Sequence, residues 1–127
     1  MSKSNENQPI SVVIPVGSLA TTATTIPAMH LPKKSKLVSA VVLNGAAIAA
    51  SDTDYAQLSL KNGSTVVAEI DTRAAHENGL TANVGKAMNL VSGQEVQEAA
   101  SDLTILYAEG GTMALTNAIV VLTYFPL

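Results

Sequence analysis

Tyr55-Ala-Gln-Leu-Ser-Leu-Lys-Asn-Gly-Ser-Thr-Val-Val-Ala-Glu-Ile70 reads as two strands joined by a turn. Successive side chains of a strand point to opposite faces. Ala56, Leu58 and Leu60 therefore share one face of the first arm, and Val66, Ala68 and Ile70 share one face of the second. Tyr55, Gln57, Ser59 and Lys61 point the other way, toward solvent. Between the arms, Asn62-Gly63 supplies the two positive-φ positions of a type I′ turn, whose twist matches that of a hairpin.

The same alternation extends in both directions. Ile10–Val16 is a first strand with Ile10, Val12, Ile14 and Val16 on one face, and Pro15 marks it as an edge or strand end. Thr21–Leu31 is a second strand, and Leu37–Leu43 a third that Asn44-Gly45 stops. Ala46–Asp54 connects it to the hairpin. Beyond the hairpin, Leu80–Val91 reads as a long strand interrupted by Gly85, with Met88 and Leu90 available to the core. Gln94–Ala100 is one helical turn or a loop, Leu103–Ala108 a strand, Gly110-Gly111 a turn and Leu115–Phe125 the last strand. About eight short strands separated by turn signals, with no long helix and no repeat, predict an all-β antiparallel sandwich, a jelly roll. The expected organisation is a flexible polar arm over 1–9 and a single domain over 10–127.

The final stretch, Asn117-Ala-Ile-Val-Val-Leu-Thr-Tyr-Phe-Pro-Leu127, is apolar on both faces. Ala118, Val120, Leu122 and Tyr124 line one face, and Ile119, Val121, Thr123 and Phe125 the other. One set fills the domain's own core. The second either packs elsewhere inside the protomer or meets another subunit, together with Val13 of the first strand.

Hydrophobic residues make up 47% of the 127 and charged ones 13%, about half the roughly 25% usual in soluble domains. So few charges favour contact with other protein, since few ions have to be desolvated. A formal net charge of −3 gives no basic field for nucleic acid. The one basic cluster, Lys33-Lys34-Ser35-Lys36, is short enough to be a solvated loop and is a weaker candidate for a partner contact. Without cysteine there is neither a disulfide framework nor a thiolate metal site. The polar first residues lack a signal-peptide core, and no apolar run is long enough for a membrane helix, so the expectation is a soluble chain with no membrane partner.

Motifs for chemistry are weak. Gly79–Ala87 has five residues between its glycines and Ala87 after Lys86, so it departs from a phosphate loop at both positions. His30 and His76 lack metal-ligand spacing, and Asp52-Thr53-Asp54 lacks the glycine and glutamate of a calcium loop. No Gly-x-Ser-x-Gly elbow is present. Asn62-Gly63-Ser64 matches a glycosylation sequon, but the turn explains it. One Phe, three Tyr and no Trp supply few stacking faces for bases or sugars. No cofactor, metal or catalytic residue is expected.

Asp54–Ala68, Asp102-Leu103-Thr104-Ile105, Gly110-Gly111-Thr112 and the closing Ala118–Tyr124 strand together give residues 10–127 a pattern that resembles the small jelly-roll proteins that decorate or cement the heads of tailed bacteriophages. The resemblance implies a homotrimer, less often a dimer, on a capsid symmetry axis, bridging neighbouring major capsid subunits. It implies synthesis in the bacterial host cytoplasm and residence on the outer surface of the virion. No catalytic residues come with it. The expected contact residues are Val13, Ile119, Val121 and Phe125, followed by residues 2–9 and Lys33, Lys34 and Lys36. The alternative is a receptor- or glycan-binding module of a phage tail fibre, acting through Tyr55 or the loops at Asp52–Asp54 and His76–Asn78. A small β-sandwich hydrolase ranks last.

Overall fold

The computed structural model describes residues 8–19, 23–74, 76, 79–111 and 113–127. The expected arm falls mostly outside the described residues. Seven strands of seven or more residues carry the fold: β1 (Ile10–Gly17), β2 (Thr24–Leu31), β3 (Ser35–Leu43), β4 (Tyr55–Asn62), β5 (Thr65–Asp71), β9 (Ser101–Gly110) and β10 (Ala118–Pro126). Three two-residue strands lie between β5 and β9: β6 (Lys86–Ala87), β7 (Asn89–Leu90) and β8 (Val96–Gln97).

They form two antiparallel sheets. Sheet A runs β1-β10-β3-β6, with β8 also on β3, and sheet B runs β2-β9-β4-β5-β7. Each crossover passes from one sheet to the other, which is the order of a jelly roll with β6–β8 in the place of its sixth strand. The expected strand over Leu80–Val91 is therefore divided. Its first part pairs with β3 and its second with β5. The switch falls at Met88, which is buried and donates its N–H to the Ala40 carbonyl (2.7 Å). A residue that leaves one ladder for the other cannot sit in a continuous strand. Over Gln94–Ala100 the chain forms β8 on the end of β3, and buried Gln97 holds it there. Its Nε2 donates to the Gln94 carbonyl (2.5 Å), and its Oε1 accepts from Asn62 Nδ2 (2.7 Å).

Inward residues of both sheets make one core. Ile14, Leu37, Ala40, Val42, Val120 and Leu122 come from sheet A, and Leu58, Leu60, Ala68, Ile70, Leu103, Ile105 and Tyr107 from sheet B. Tyr107 is wholly buried, and its hydroxyl donates to the Met113 carbonyl (2.9 Å). Burial, then the negative charges of Glu109 and Asp54, push its pKa up to about 12, so it stays a donor at any physiological pH.

The hairpin forms with a different turn and register. Asn62 pairs with Thr65, so Gly63 and Ser64 are the central residues. Only Gly63 has positive φ (62°), the φ pattern of a II′ turn rather than a I′ turn. A bulge between Leu60 and Lys61 pairs Lys61 with Val66, which sends Val66 outward and buries Val67 instead. One extra residue reverses the parity of everything beyond it. Ser59, expected outward, keeps that direction yet is nearly covered by its neighbours.

Leu122 lies fully buried in the middle strand of sheet A, opposite Ala40 and Val12. Leu122→Ala is expected to cost about 2–5 kcal/mol. In urea titration this reads as a lower midpoint with an unchanged slope.

Candidate interaction surface

β10 lies between β1 and β3, and its register fixes what each neighbour presents. Val13 faces Val121 directly, Ile119 lies between Pro15 and Leu43, and Val41 sits on the other side of Val121. Phe125 pairs with Lys36. Residues paired in an antiparallel ladder point to the same face. Ala118, Val120 and Leu122 are buried, so Ile119, Val121, Thr123 and Phe125 occupy the outer face, each half-buried.

The two alternatives left by sequence are thus separated for the protomer: these four side chains do not fill its core. Val13 is 59% exposed on the same face. A bulge in β3 adds Val38, 43% exposed, and β8 adds Val96, 45% exposed, opposite Lys36. Sequence reading missed Val38 and Val96. Val38 lay inside a strand whose parity shifts at the bulge, and Val96 lay in a segment read as a helical turn or loop.

The three long strands of sheet A, about 4.8 Å apart and eight or nine residues long, span roughly 14 by 30 Å, about 430 Å², and the hydroxyl row of Ser11, Thr123 and Ser39 crosses that area. That area lies within the roughly 300–600 Å² of the largest apolar patch on ordinary monomers. Lys36 is the one charged residue at the outward positions of β1, β3 and β10, and it sits at one end of the patch. Lys33 and Lys34 are exposed in the β2–β3 turn beside that end. Lys33, Ile10, Pro32, Ser35, Tyr124 and Pro126 line an apolar cleft of about 240 Å³ there. The Lys34 carbonyl accepts the Leu127 N–H (2.7 Å), which ties the last residue to the same corner.

The outer face of sheet B differs in kind. Its outward positions carry Thr25, Pro27, Thr104, Leu106, Ala108, Lys61, Ser59, Gln57, Glu69 and Asp71. Asp71 has a side chain only 6% exposed, and Arg73 clamps it: Arg73 Nε donates to both oxygens (3.1 and 3.0 Å) and Nη2 to Oδ2 (2.5 Å). Arg73 N–H also donates to Oδ1 (3.0 Å), and its guanidinium stacks 4.5 Å from the centre of the Tyr55 ring. A side chain at Gly110, which pairs with Tyr55, would run into that ring.

The other candidates do not converge. His30 Nδ1 meets Asp102 Oδ1 at 2.6 Å across β2 and β9, both well exposed. His76 lies beyond β5, its N–H donating to the Arg73 carbonyl (3.0 Å). At Asp52–Asp54 the capping group is Ser51, whose Oγ accepts the N–H groups of Thr53 (3.2 Å) and Asp54 (3.1 Å). Glu77 and Asn78 lie outside the described residues. Among the described residues no group of three or more His, Asp or Glu is placed to hold a metal ion, and no helix is long and apolar enough to cross a membrane.

Burial acts to raise the Asp71 pKa, but the Arg73 side-chain and backbone hydrogen bonds and its charge overcome this and hold the carboxyl below its ordinary value. A depressed folded-state pKa means stability that is present above the unfolded value of about 3.9 and lost as pH falls through the folded one. Asp71→Asn is expected to lower the melting temperature at neutral pH and to flatten its fall below about pH 4, measured by circular dichroism.

No protein-family model and no curated protein matches the chain. Among solved structures, the infectious bursal disease virus Gt strain is similar at 14% identity and a TM-score of 0.42, over 95% of this chain and 34% of that one. A mutant VP2 protein of the same virus, from derived T=1 particles, is similar at 14% identity and 0.38, over 95% and 32%. The Gx strain gives 18% and 0.35, over 94% and 32%. This chain thus spans about a third of those chains. Likeness at this level is too slight to carry function, and the fold stands on its own strand order.

Proposed function

We propose that this chain is a structural virion protein: a homo-oligomer that binds the outer surface of a phage capsid and reinforces it, using the outer face of sheet A as its main contact. The observation that carries the reading is the outward apolar set Val13, Val38, Val41, Ile119, Val121 and Phe125 on sheet A, exposed at Val13 and Val38 and half-buried at the others. Two such faces laid together remove about 860 Å² from water, somewhat below the roughly 1,000 Å² that specific interfaces need. A contact of that size is modest alone and gains from repetition over a symmetric shell. Trimeric assembly and the major capsid protein as partner follow from the resemblance of the sequence to head-decoration proteins.

The mechanism is linkage. Contacts that exist only in the assembled shell lower its free energy relative to a disrupted one, and no bond is made or broken. Lys33, Lys34 and Lys36, at one end of the face, fit an acidic rim on the partner.

Mixing the purified protein with mature heads that lack it, followed by cryo-EM, is expected to show a fixed copy number at symmetry-related positions. Absence of bound density would overturn the reading. Val121→Glu places a charge in the centre of the face at an outward position. It is expected to reduce the light-scattering mass to that of the protomer and to abolish head binding. Protomer stability should move by only about 0.5 kcal/mol, as outward substitutions do. An unchanged oligomeric mass would place the contact elsewhere.

A further inference from the structure

We infer that Asn62 is a site of spontaneous deamidation, and that the acid it leaves undoes the hydrogen bond by which the β4–β5 hairpin holds β8. Asn62 ends β4 and is followed by Gly63, which is exposed and has positive φ. Asparagine is among the thermolabile residues, and its weak point is attack on its own side-chain amide carbon by the next backbone nitrogen. That nitrogen is accessible here. The Gly63 N–H makes no backbone hydrogen bond among the described residues, and nothing lies within 4 Å of where a Cβ on Gly63 would stand. The step is redox-neutral. The Gly63 nitrogen bonds to Asn62 Cγ and gives up its proton, the Cγ–Nδ2 bond breaks, and Nδ2 leaves as ammonia. Water then opens the imide ring at either carbonyl, which leaves aspartate or isoaspartate at this position.

The position matters because of what its amide holds. Asn62 Nδ2 donates to Gln97 Oε1 (2.7 Å), and Gln97, only 3% exposed, donates its own Nε2 to the Gln94 carbonyl (2.5 Å). An ionised carboxylate only accepts. It would face an acceptor, and Gln97 cannot turn its donor end round without giving up the Gln94 carbonyl. Gln97 is too buried for water to replace the lost donor freely, so the loss carries a desolvation cost. Gln97 belongs to β8, which also pairs with Ser35 and Lys36, and the Leu37 N–H donates to the Glu95 carbonyl beside it (2.7 Å). Deamidation therefore releases sheet B's hold on a segment seated on sheet A.

The other Asn-Gly step among the described residues is a built-in control. Asn44 is 1% exposed, its Nδ2 donates to the Ala46 carbonyl (2.7 Å), and its Oδ1 accepts the Thr116 N–H (2.8 Å). The Gly45 N–H is taken by the Thr116 carbonyl (2.7 Å). Neither the attacking nitrogen nor the amide is free there. The assignment does not depend on the proposed function, although Val96 on β8 lies at the lysine end of the face that reading uses.

The test is tryptic peptide mapping by mass spectrometry on native protein held at mildly alkaline pH. Cleavage after Lys36, Lys61, Arg73 and Lys86 puts Asn44, Asn62 and Asn78 in separate peptides. The peptide from Asn62 to Arg73 is expected to gain aspartate and isoaspartate about tenfold faster than the one from Leu37 to Lys61, the factor of one hydrogen bond to be broken first. In urea the two should react alike, since the protection of Asn44 is structural. No reaction at Asn62 in the native protein, an equal rate at Asn44, or selectivity that persists in urea would overturn the assignment. Asn62→Asp supplies the product directly and is expected to speed hydrogen exchange of the Leu37 amide about tenfold. Unchanged exchange there would overturn the consequence for β8.

Discussion

A two-layer sandwich covers one face of each of its sheets, and the position of β10 decides what the other face must be. With β1 on one side and β3 on the other, β10 has no free edge and cannot turn its second apolar row inward. Ala118, Val120 and Leu122 already fill the space beneath it. Ile119, Val121 and Phe125 are thereby committed to the outside. High β-propensity of valine and isoleucine accounts for some of this, since they suit a pleated surface even when half exposed. Sheet B serves as the internal comparison. Its long strands present Thr, Ser, Gln, Lys and Glu on its outer face, beside Pro27, Leu106 and Ala108, and are paired just as fully. Strand formation in this chain therefore does not require an apolar outer row, and the one on sheet A calls for another cause.

The sixth strand of the jelly roll shows a second consequence of layering. Between β5 and β9 the chain touches β3, then β5, then β3 again, in pieces of two residues. The far edges of both sheets are thus finished by short segments. Short edges are poor templates for further strand pairing, and β1, at the other edge of sheet A, carries Pro15, which has no N–H to offer. Edge-to-edge growth is blunted while the flat outer face is left open. The remaining edge, β2 of sheet B, is eight residues long and is interrupted by Pro27.

How far the sequence could be read follows the range of the forces involved. The hairpin was legible because its alternation and its Asn-Gly-Ser turn are local. Its turn type and the placing of Val66 against Val67 were not, because a bulge between Leu60 and Lys61 answers to the fit of β5 on the core. Leu80–Val91 looked like one strand because its apolar residues are close together, whereas the switch at Met88 depends on two sheets meeting there. For the contact surface, the two rows of β10 were legible and their direction was not, since only the strand order shows which row is covered. The Asp71–Arg73–Tyr55 stack joins a strand end, a loop and the start of another strand. No spacing in the sequence announces it.

The outer faces also differ in how their chemistry acts with distance. On sheet A the apolar patch works only at contact, and the lysines at its end carry a local positive potential on a chain of net charge −3. At physiological salt that potential fades within about 8 Å, so it cannot draw the chain toward a distant acidic surface against its overall charge. Its effect comes after encounter, when the lysine end of the patch must be told from the other. A valine-rich sheet face can slide or rotate on an apolar partner with little change in buried area. Charges confined to one end remove that freedom. On the proposed function, the patch provides adhesion and Lys33, Lys34 and Lys36 provide orientation, so a substitution among them belongs with register on the partner rather than with strength of binding.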